Sequence, residues 1–326
     1  MFILVTGANG QLGKSIISLV KQQKTIDSFV FVTRDQLDLS SLSNIQNFFA
    51  TNNFDLIINC AAYTAVDKAE SYREEADTVN HIAVKQIAEI AKNNNIKLIH
   101  ISTDFVYDGL NNNPYTESDA TSPLNIYGET KLDGENAILA IMKSNAMIIR
   151  TSWVYSEYGN NFVATILRLS QKSSNLNIVS DQIGTPTFAR DLGQVILDII
   201  KSDKFNVFKK KSEIYHYSNE GKCSWYDFAK EIVRISNDKC TISPINTEDY
   251  PTAAKRPKLT VMSKEKISKE FDLKIISWKK SLKYCMNNLS TASSPRVGCT
   301  PNSKNAFDSL ITRRTEGSVG PAATLS

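Results

Sequence analysis

The chain has no long apolar run, no paired cysteines and no block of like charge, and each absence removes a class of function. No stretch of its 326 residues approaches the roughly 20 consecutive apolar positions that span a bilayer. The opening MFILVTGANG has no basic n-region and only a short apolar run before glycine, so it does not read as a signal peptide. The five cysteines (Cys60, Cys223, Cys240, Cys285, Cys299) form no Cys-x-x-Cys pair and no metal-ligand spacing, as expected of reduced thiols. The formal charge of +4 is small for this length, without the basic stripe of a nucleic-acid-binding protein. The expectation is a soluble cytoplasmic protein with no nucleic-acid partner and no membrane association.

The hydrophobic share of 41% and the charged share of 22% are those of a globular chain, long enough for one large or two ordinary domains. Short apolar runs at Phe2 to Val5, Phe29 to Val32, Leu56 to Ile58, Leu98 to Ile101 and Met147 to Ile149 are continuous rather than alternating, which suits strands buried on both faces of a parallel sheet. Segments of helical period lie between them, at Gln11 to Gln23, Ser41 to Thr51 and Ala76 to Lys92. This alternation predicts an α/β fold, a doubly wound parallel sheet of Rossmann type with a smaller C-terminal α/β domain. Later helical patterns at Phe162 to Gln171, Asp191 to Ile200 and Trp225 to Ile235 are broken by turns, consistent with that second domain. From Ser290 onward, 18 of 37 residues are Ser, Thr, Gly or Pro, too little apolar surface to offset ordering entropy. The expected organisation is a nucleotide-binding domain over 1–150, a substrate domain mainly over 151–289 with some segments returning to the first sheet, and a disordered tail over 290–326.

VTGANGQLG follows the first strand and opens the first helix, with Gly7, Gly10 and Gly13 three residues apart. Glycines there allow a tight turn and close approach to a pyrophosphate, while the helix N-terminus supplies donors and partial positive charge. The position between strand and helix is the context a dinucleotide site requires. After the second strand, Thr33, Arg34 and Asp35 stand where an acidic residue reads the ribose of NAD or an arginine receives the 2′-phosphate of NADP. Arg34 favours NADPH, with NADH left open.

Further polar groups fall at successive strand ends. NCAAYTAVDKAE follows the third strand, ISTDFVYDG ends the fourth with Ser102, Thr103 and Asp104, and RTSWVY ends the fifth with Trp153. Each taken singly is equally a turn, a strand cap or a core aromatic. Together they sit on the carboxyl edge, where ligands bind in such sheets. In PLNIYGETK, Tyr127 and Lys131 share a face of a helix starting near Leu124. Alone, that pair is equally a solvated helix face.

In combination the motifs TGANGQLG, AAYTAVDKAE, STDFVYDG, TSPLNIYGETK, RTSWVYSEYGNNF and DQIGTPT, across roughly residues 1–288, resemble the extended short-chain dehydrogenase/reductase superfamily. The resemblance implies that Tyr127 is the general acid toward a substrate carbonyl, that Lys131 lowers the tyrosine's pKa and bonds the nicotinamide ribose, and that Thr103 positions the carbonyl oxygen. It implies cofactor contacts at Gly10, Gln11 and Leu12 (pyrophosphate), at Asp38 and Leu39 (adenine), and at Ala62, Tyr63 and Thr64 (nicotinamide half). It implies sugar-nucleotide contacts at Asp104 and Trp153. Arg256 in AAKRPKL either reaches the substrate pyrophosphate or belongs to a solvated basic loop.

The implied activity is NADPH-dependent reduction of the C4 carbonyl of dTDP-4-dehydro-6-deoxy-L-mannose, supplying dTDP-L-rhamnose for cell-surface polysaccharide. A reductase giving another 4-epimer, such as a 6-deoxy-talose, is an alternative. So is a non-catalytic subunit like the regulatory partner of methionine adenosyltransferase. Dehydratases of the superfamily carry Asp-Glu after the active-site threonine; here Phe105 replaces the glutamate, which suits simple reduction. Cys60 stands where alanine is frequent. Some relatives share a metal between subunits through glutamates, one of them in the first helix; this chain has Lys14 and Ser15 there, so no metal is expected. Association as a homodimer is compatible with the resemblance.

Overall fold

The computed structural model describes residues 1–23, 25–205, 211–291 and 311–312. The first half contains β1 (Phe2–Thr6), α1 (Gln11–Gln22), β2 (Ser28–Phe31), α2 (Leu42–Thr51), β3 (Leu56–Asn59), the short helices α3 (Val66–Ala69) and α4 (Arg73–Asp77), α5 (Ala83–Asn93), β4 (Lys97–Thr103), α6 (Ile126–Ile141) and β5 (Ala146–Thr151). The second half adds β6 (Val154–Tyr155), α7 (Phe162–Ser170), β7 (Asn175–Val179), β8 (Ile183–Gly184), β9 (Thr187–Phe188), α8 (Ala189–Lys201) and β10 (Glu213–His216). The remaining elements are β11 (Cys223–Ser224), α9 (Trp225–Ser236), β12 (Thr241–Ile245), α10 (Glu265–Phe271), α11 (Trp278–Thr291) and β13 (Ile311–Thr312).

Six strands form one sheet in the order β10-β5-β4-β3-β1-β2, every neighbouring pair parallel. The chain moves outward from β1 to β2, then crosses back to β3 on the other side of β1. That reversal is the switch point at which such sheets bind ligands. Successive residues of β1 serve opposite faces. Ile3 and Val5 pack with Ile16 of α1 and Leu192 and Ile196 of α8, whereas Leu4 packs with Ile45 of α2 and Ile87 of α5. A strand covered on both faces needs an unbroken apolar run, the pattern visible in the sequence.

The chain returns to this first sheet after leaving it. Helix α8 covers one face, β10 extends the edge beside β5, and Ile267 and Phe271 of α10 join the same core as Ile3. A second core, containing Phe162, Phe188, Trp225, Phe228 and Trp278, is built around α7, α9 and α11 with the short sheets β12-β7-β13, β11-β8 and β6-β9. Among the described residues no helix is long and apolar enough to cross a membrane.

The expectation of disorder over 290–326 lies mostly outside the described residues, and where it meets them it is corrected. Ser290 and Thr291 end α11, and Ile311–Thr312 pairs antiparallel with Ile178 and Asn177 of β7. The parallel β7–β12 pair leaves β7 one open edge, and a main-chain ladder needs only backbone groups, not an apolar period.

Candidate active site

The carboxyl ends of β1, β3, β4 and β5 carry the residues singled out in the sequence. After β1, Gly7 adopts φ +67°, a left-handed conformation that favours glycine. A Cβ there would lie 2.8 Å from the Ala61 amide nitrogen, so the β1 and β3 turns touch through backbone. Gly10 caps α1, and no side chain claims the first-turn N–H groups of that helix. Those donors and the positive end of the dipole fit a dinucleotide pyrophosphate, the group this turn implies. Gln11 does more than line the turn. Its Nε2 donates to the Val154 carbonyl at 3.2 Å, and its Oε1 accepts from Ser156 and Asn161, both at 3.0 Å, locking the segment between β6 and α7 onto the turn. The Leu12 side chain is buried in the core, so what it can offer a ligand is its first-turn N–H.

Past β2, the exposed guanidinium of Arg34 reaches Asp38 at 3.2 Å and the Ser40 hydroxyl at 3.2 Å. The Asp38 carboxyl is held below its ordinary pKa, first by the Ser40 N–H and then by the Ser40 hydroxyl and Arg34. Leu39 is buried beside it. Ala62, Tyr63 and Thr64 follow β3. The Tyr63 backbone is clamped by Asn80, whose Oδ1 accepts from the Tyr63 N–H at 2.9 Å and whose Nδ2 donates to its carbonyl at 3.1 Å. Asn80 sits in a π-helical turn, Thr78–Ile82, and also donates to Thr130 of α6. The cofactor-side turn is thereby fastened to the helix bearing Tyr127 and Lys131.

Helix α6 begins at Ile126, two residues past the expected start, because the Asn125 side chain caps it by accepting from the Gly128 N–H. Gly128 packs against the Phe105 carbonyl, which brings the start of α6 onto the end of β4. There the Tyr127 ring meets Phe105 edge-on at 5.7 Å, and the Thr103 hydroxyl stands beside the phenol. Tyr127 is half-buried by surface area but enclosed by protein on most sides. That enclosure pushes its phenol up to about 12, with Thr103 opposing the rise and Asp104 adding to it. The expected lowering by Lys131 is therefore corrected. The Lys131 ammonium points away, donating to the Ile101 carbonyl at 2.7 Å and lying 3.2 Å from His100 Nε2. Burial lowers the Lys131 pKa to about 8, with Glu135 working the other way. A phenol that keeps its proton is the form a general acid needs.

Asp104 is buried next to Thr103. One oxygen accepts from the Thr103 hydroxyl at 3.2 Å; the other has no partner of normal hydrogen-bond geometry among the described residues. Burial pushes its carboxyl up to about 6, against the pull of Thr260 and Thr103. The folded chain thus binds a proton between the ordinary carboxylate value of 3.8 and about 6 where the unfolded chain does not, so stability falls as pH rises through that window. Asp104→Asn is expected to raise unfolding free energy at pH 7 by up to about 3 kcal/mol, with the gain vanishing near pH 3. Urea titrations at the two pH values check this; an equal effect at both refutes the buried-charge account.

Trp153 holds a left-handed φ of +47° and stacks on Trp225, ring centroids 3.5 Å apart and planes within 10°. Gly184 leaves room for that ring: a Cβ there would meet it at 2.6 Å. Arg256 is not in a solvated loop. Its guanidinium is buried against Asp67 at 2.8 Å and 3.0 Å, with Thr252 at 2.6 Å and the Ala254 carbonyl at 3.0 Å. Asp67 belongs to the AAYTAVDKAE motif, so Arg256 joins two of the expected ligand-binding segments.

Sequence reasoning missed a buried polar layer behind α6. Glu135 pairs with Arg150 through two ionic hydrogen bonds to Nε and one of 2.6 Å to Nη2, and also accepts from Ser102. Arg150 Nη1 donates to the Tyr107 hydroxyl at 2.6 Å, which in turn lies 2.9 Å from His216. The signal available was an arginine inside the otherwise apolar run MIIRT and a histidine at the end of the short run EIYH.

Fold and motifs together make this an oxidoreductase of the extended short-chain dehydrogenase/reductase class. More narrowly, the chain belongs to the RmlD substrate binding domain family, which matches residues 1–291. It is 37% identical over 288 residues to a dTDP-4-dehydrorhamnose reductase of Aggregatibacter actinomycetemcomitans, covering 86% of this chain and 97% of that protein. It is 34% identical over 260 residues to a dTDP-4-keto-6-deoxy-D-glucose reductase of Streptomyces niveus, covering 79% of this chain and 87% of that protein. The crystal structure of a Bacillus anthracis dTDP-4-dehydrorhamnose reductase in complex with NADP superposes with a TM-score of 0.81 at 34% identity, covering 88% of this chain and 99% of that one.

Proposed function

We propose that this protein reduces the C4 carbonyl of dTDP-4-dehydro-L-rhamnose with NADPH to give dTDP-L-rhamnose. The observation that carries the reading is the enclosed Tyr127 phenol beside the Thr103 hydroxyl, in a chain whose relatives bear that activity in their names. The reduced nicotinamide supplies the hydride when bound. The protein orients and polarises. The uncapped first turn of α1, after Gly7 and Gly10 and before Gly13, holds the pyrophosphate, and the Ala62–Thr64 turn lies along the nicotinamide half. Arg34 receives the 2′-phosphate, and Asp38 and Leu39 flank the adenine. Lys131 gives its remaining N–H to the nicotinamide ribose. Thr103 donates to the substrate carbonyl oxygen, and Tyr127 gives its hydroxyl proton to that oxygen as negative charge develops there. Asp104 and Trp153 contact the sugar nucleotide. With Phe105 in place of a second carboxyl group, no residue pair is set for elimination of water.

The Streptomyces niveus relative, named for a different 4-keto sugar, favours a second reading, reduction of the same C4 carbonyl to the other 4-epimer, a dTDP-6-deoxy-L-talose. One assay decides. Purified protein is mixed with NADPH and dTDP-4-dehydro-L-rhamnose, absorbance is followed, and the product is identified by NMR. Consumption with a rhamnose product is expected, with Arg34→Ala raising KM for NADPH and leaving that for NADH unchanged. A talose-type product replaces the reading with the second one. Bound NADPH without consumption of it overturns both in favour of a regulatory subunit.

A further inference from the structure

Beneath the Tyr127–Lys131 face runs a chain of buried hydrogen bonds that the roles above do not use. His100 Nε2 lies 3.2 Å from the Lys131 ammonium, and His100 Nδ1 lies 3.1 Å from the Asn59 side-chain nitrogen. The far end of the Asn59 amide lies 2.7 Å from Thr6 Oγ1, which accepts from the Ala61 N–H at 3.3 Å. Three adjacent strands each contribute one link: His100 from β4, Asn59 from β3, Thr6 from β1. All three side chains and Lys131 are at most 1% exposed. Among the described residues the chain ends on the Ala61 backbone amide. Such a chain orients its members.

An ammonium has three N–H donors and no acceptor. The Ile101 carbonyl takes one and His100 stands ready for the second, which leaves a single donor with a fixed direction. We propose that His100, braced by Asn59 and Thr6, is a positioning residue for Lys131: with the Asn59 amide turned so that its oxygen accepts from Nδ1–H and its nitrogen donates to Thr6 Oγ1, Nε2 accepts from the Lys131 ammonium and so aims the third donor. This rests on the reading that Lys131 holds the cofactor ribose.

Neutral imidazole is required for that role. Burial, and then the Lys131 charge, hold His100 well below its ordinary pKa. The links also tie the tautomer to the lysine. With the Asn59 nitrogen toward Nδ1, the imidazole proton sits on Nε2 and faces a neutral Lys131 amine. With the amide turned over, its oxygen takes Nδ1–H and Nε2 accepts from the ammonium. The other titratable groups around Lys131 are Tyr127 and Glu135 on its own helix, and Glu135 is committed to Arg150 of β5 and to Ser102.

The test compares His100→Phe, His100→Gln, Thr6→Val and Lys131→Met in the full chain, reading kcat against pH and NADPH affinity by fluorescence. His100→Phe keeps a flat ring and removes the acceptor. It is expected to lower kcat by roughly 10–100-fold through a misdirected ammonium. It should also move the basic limb of the profile to lower pH, because an acceptor that favours the charged form is gone. His100→Gln offers an amide oxygen and should restore most of both. Thr6→Val should shift the limb in the same direction by less, and carries the test alone if His100→Phe does not fold. Wild-type rate and limb in His100→Phe, or in Thr6→Val where it alone folds, overturns the proposal. So does a His100→Gln protein no better than His100→Phe. Lys131→Met separates the underlying reading: wild-type turnover in that variant removes Lys131 from the site, whatever the His100 variants do.

Discussion

Tyr127→Phe is expected to lower kcat by roughly 10²–10⁴-fold while NADPH binds nearly as before. The substitution deletes one oxygen and keeps the ring that meets Phe105 edge-on, so the junction of α6 with the end of β4 survives. No side-chain hydrogen bond that holds the fold is lost, because the links between α6 and its surroundings run through Asn125, Thr130, Lys131 and Glu135. The cofactor turn is fastened by Asn80 and Gln11, neither of which touches the phenol. What disappears is the proton donor. With its phenol pushed up to about 12, Tyr127 carries that proton throughout the working range. An acidic limb reports a group that works without its proton, so one near pH 6 is expected from Asp104 and not from the phenol. Stopped-flow reduction and cofactor fluorescence on the same sample separate the two quantities. Turnover near that of the wild type removes Tyr127 as the acid. A lost cofactor site in a folded protein shows instead that the ring position was misread.

The central sheet was legible because a parallel sheet buried on both faces writes itself as uninterrupted apolar runs, as in Phe2–Thr6 and Leu56–Asn59. The glycine turn and the Tyr127–Lys131 spacing were legible because backbone geometry and helix period demand particular residues at fixed offsets. What was not legible depends on distance in sequence. The four residues EIYH of β10 become a sheet edge only by meeting β5, more than sixty positions earlier along the chain. Thr6, Asn59 and His100 look unrelated until three strands align. The direction of the Tyr127 pKa went wrong for a related reason: helical spacing fixes where Lys131 starts, but the Ile101 carbonyl and His100 decide where its ammonium ends. For Arg256 the sequence left a substrate contact and a solvated loop equally open, since the partner that removes the second, Asp67, is remote in sequence.

Arg150→Met is expected to cost about 3–5 kcal/mol of stability, the range for leaving one member of a buried ion pair unpaired. Both side chains are nearly sealed from solvent, at 3% for Arg150 and 1% for Glu135. Glu135 receives three hydrogen bonds from this one guanidinium and a further one from Ser102. Removing Arg150 leaves a carboxylate with the Ser102 hydroxyl and, for counter-charge, Lys131 one helical turn earlier. It also strips the Tyr107 hydroxyl of its charged donor, leaving that group to His216 and the Thr116 carbonyl. The double variant Glu135→Met/Arg150→Met should regain most of the loss, because two apolar side chains of similar volume carry no desolvation penalty. Denaturant unfolding of both variants measures this. A second readout connects the layer to the site. The Glu135 carboxylate favours the charged form of Lys131, so a Glu135 freed from Arg150 should carry the basic limb of kcat from near pH 8 to higher pH. The double variant, lacking the carboxylate, should move the limb below its wild-type position. If the two variants shift the limb in the same direction, Glu135 does not set the charge on Lys131, and the layer behind α6 serves stability alone.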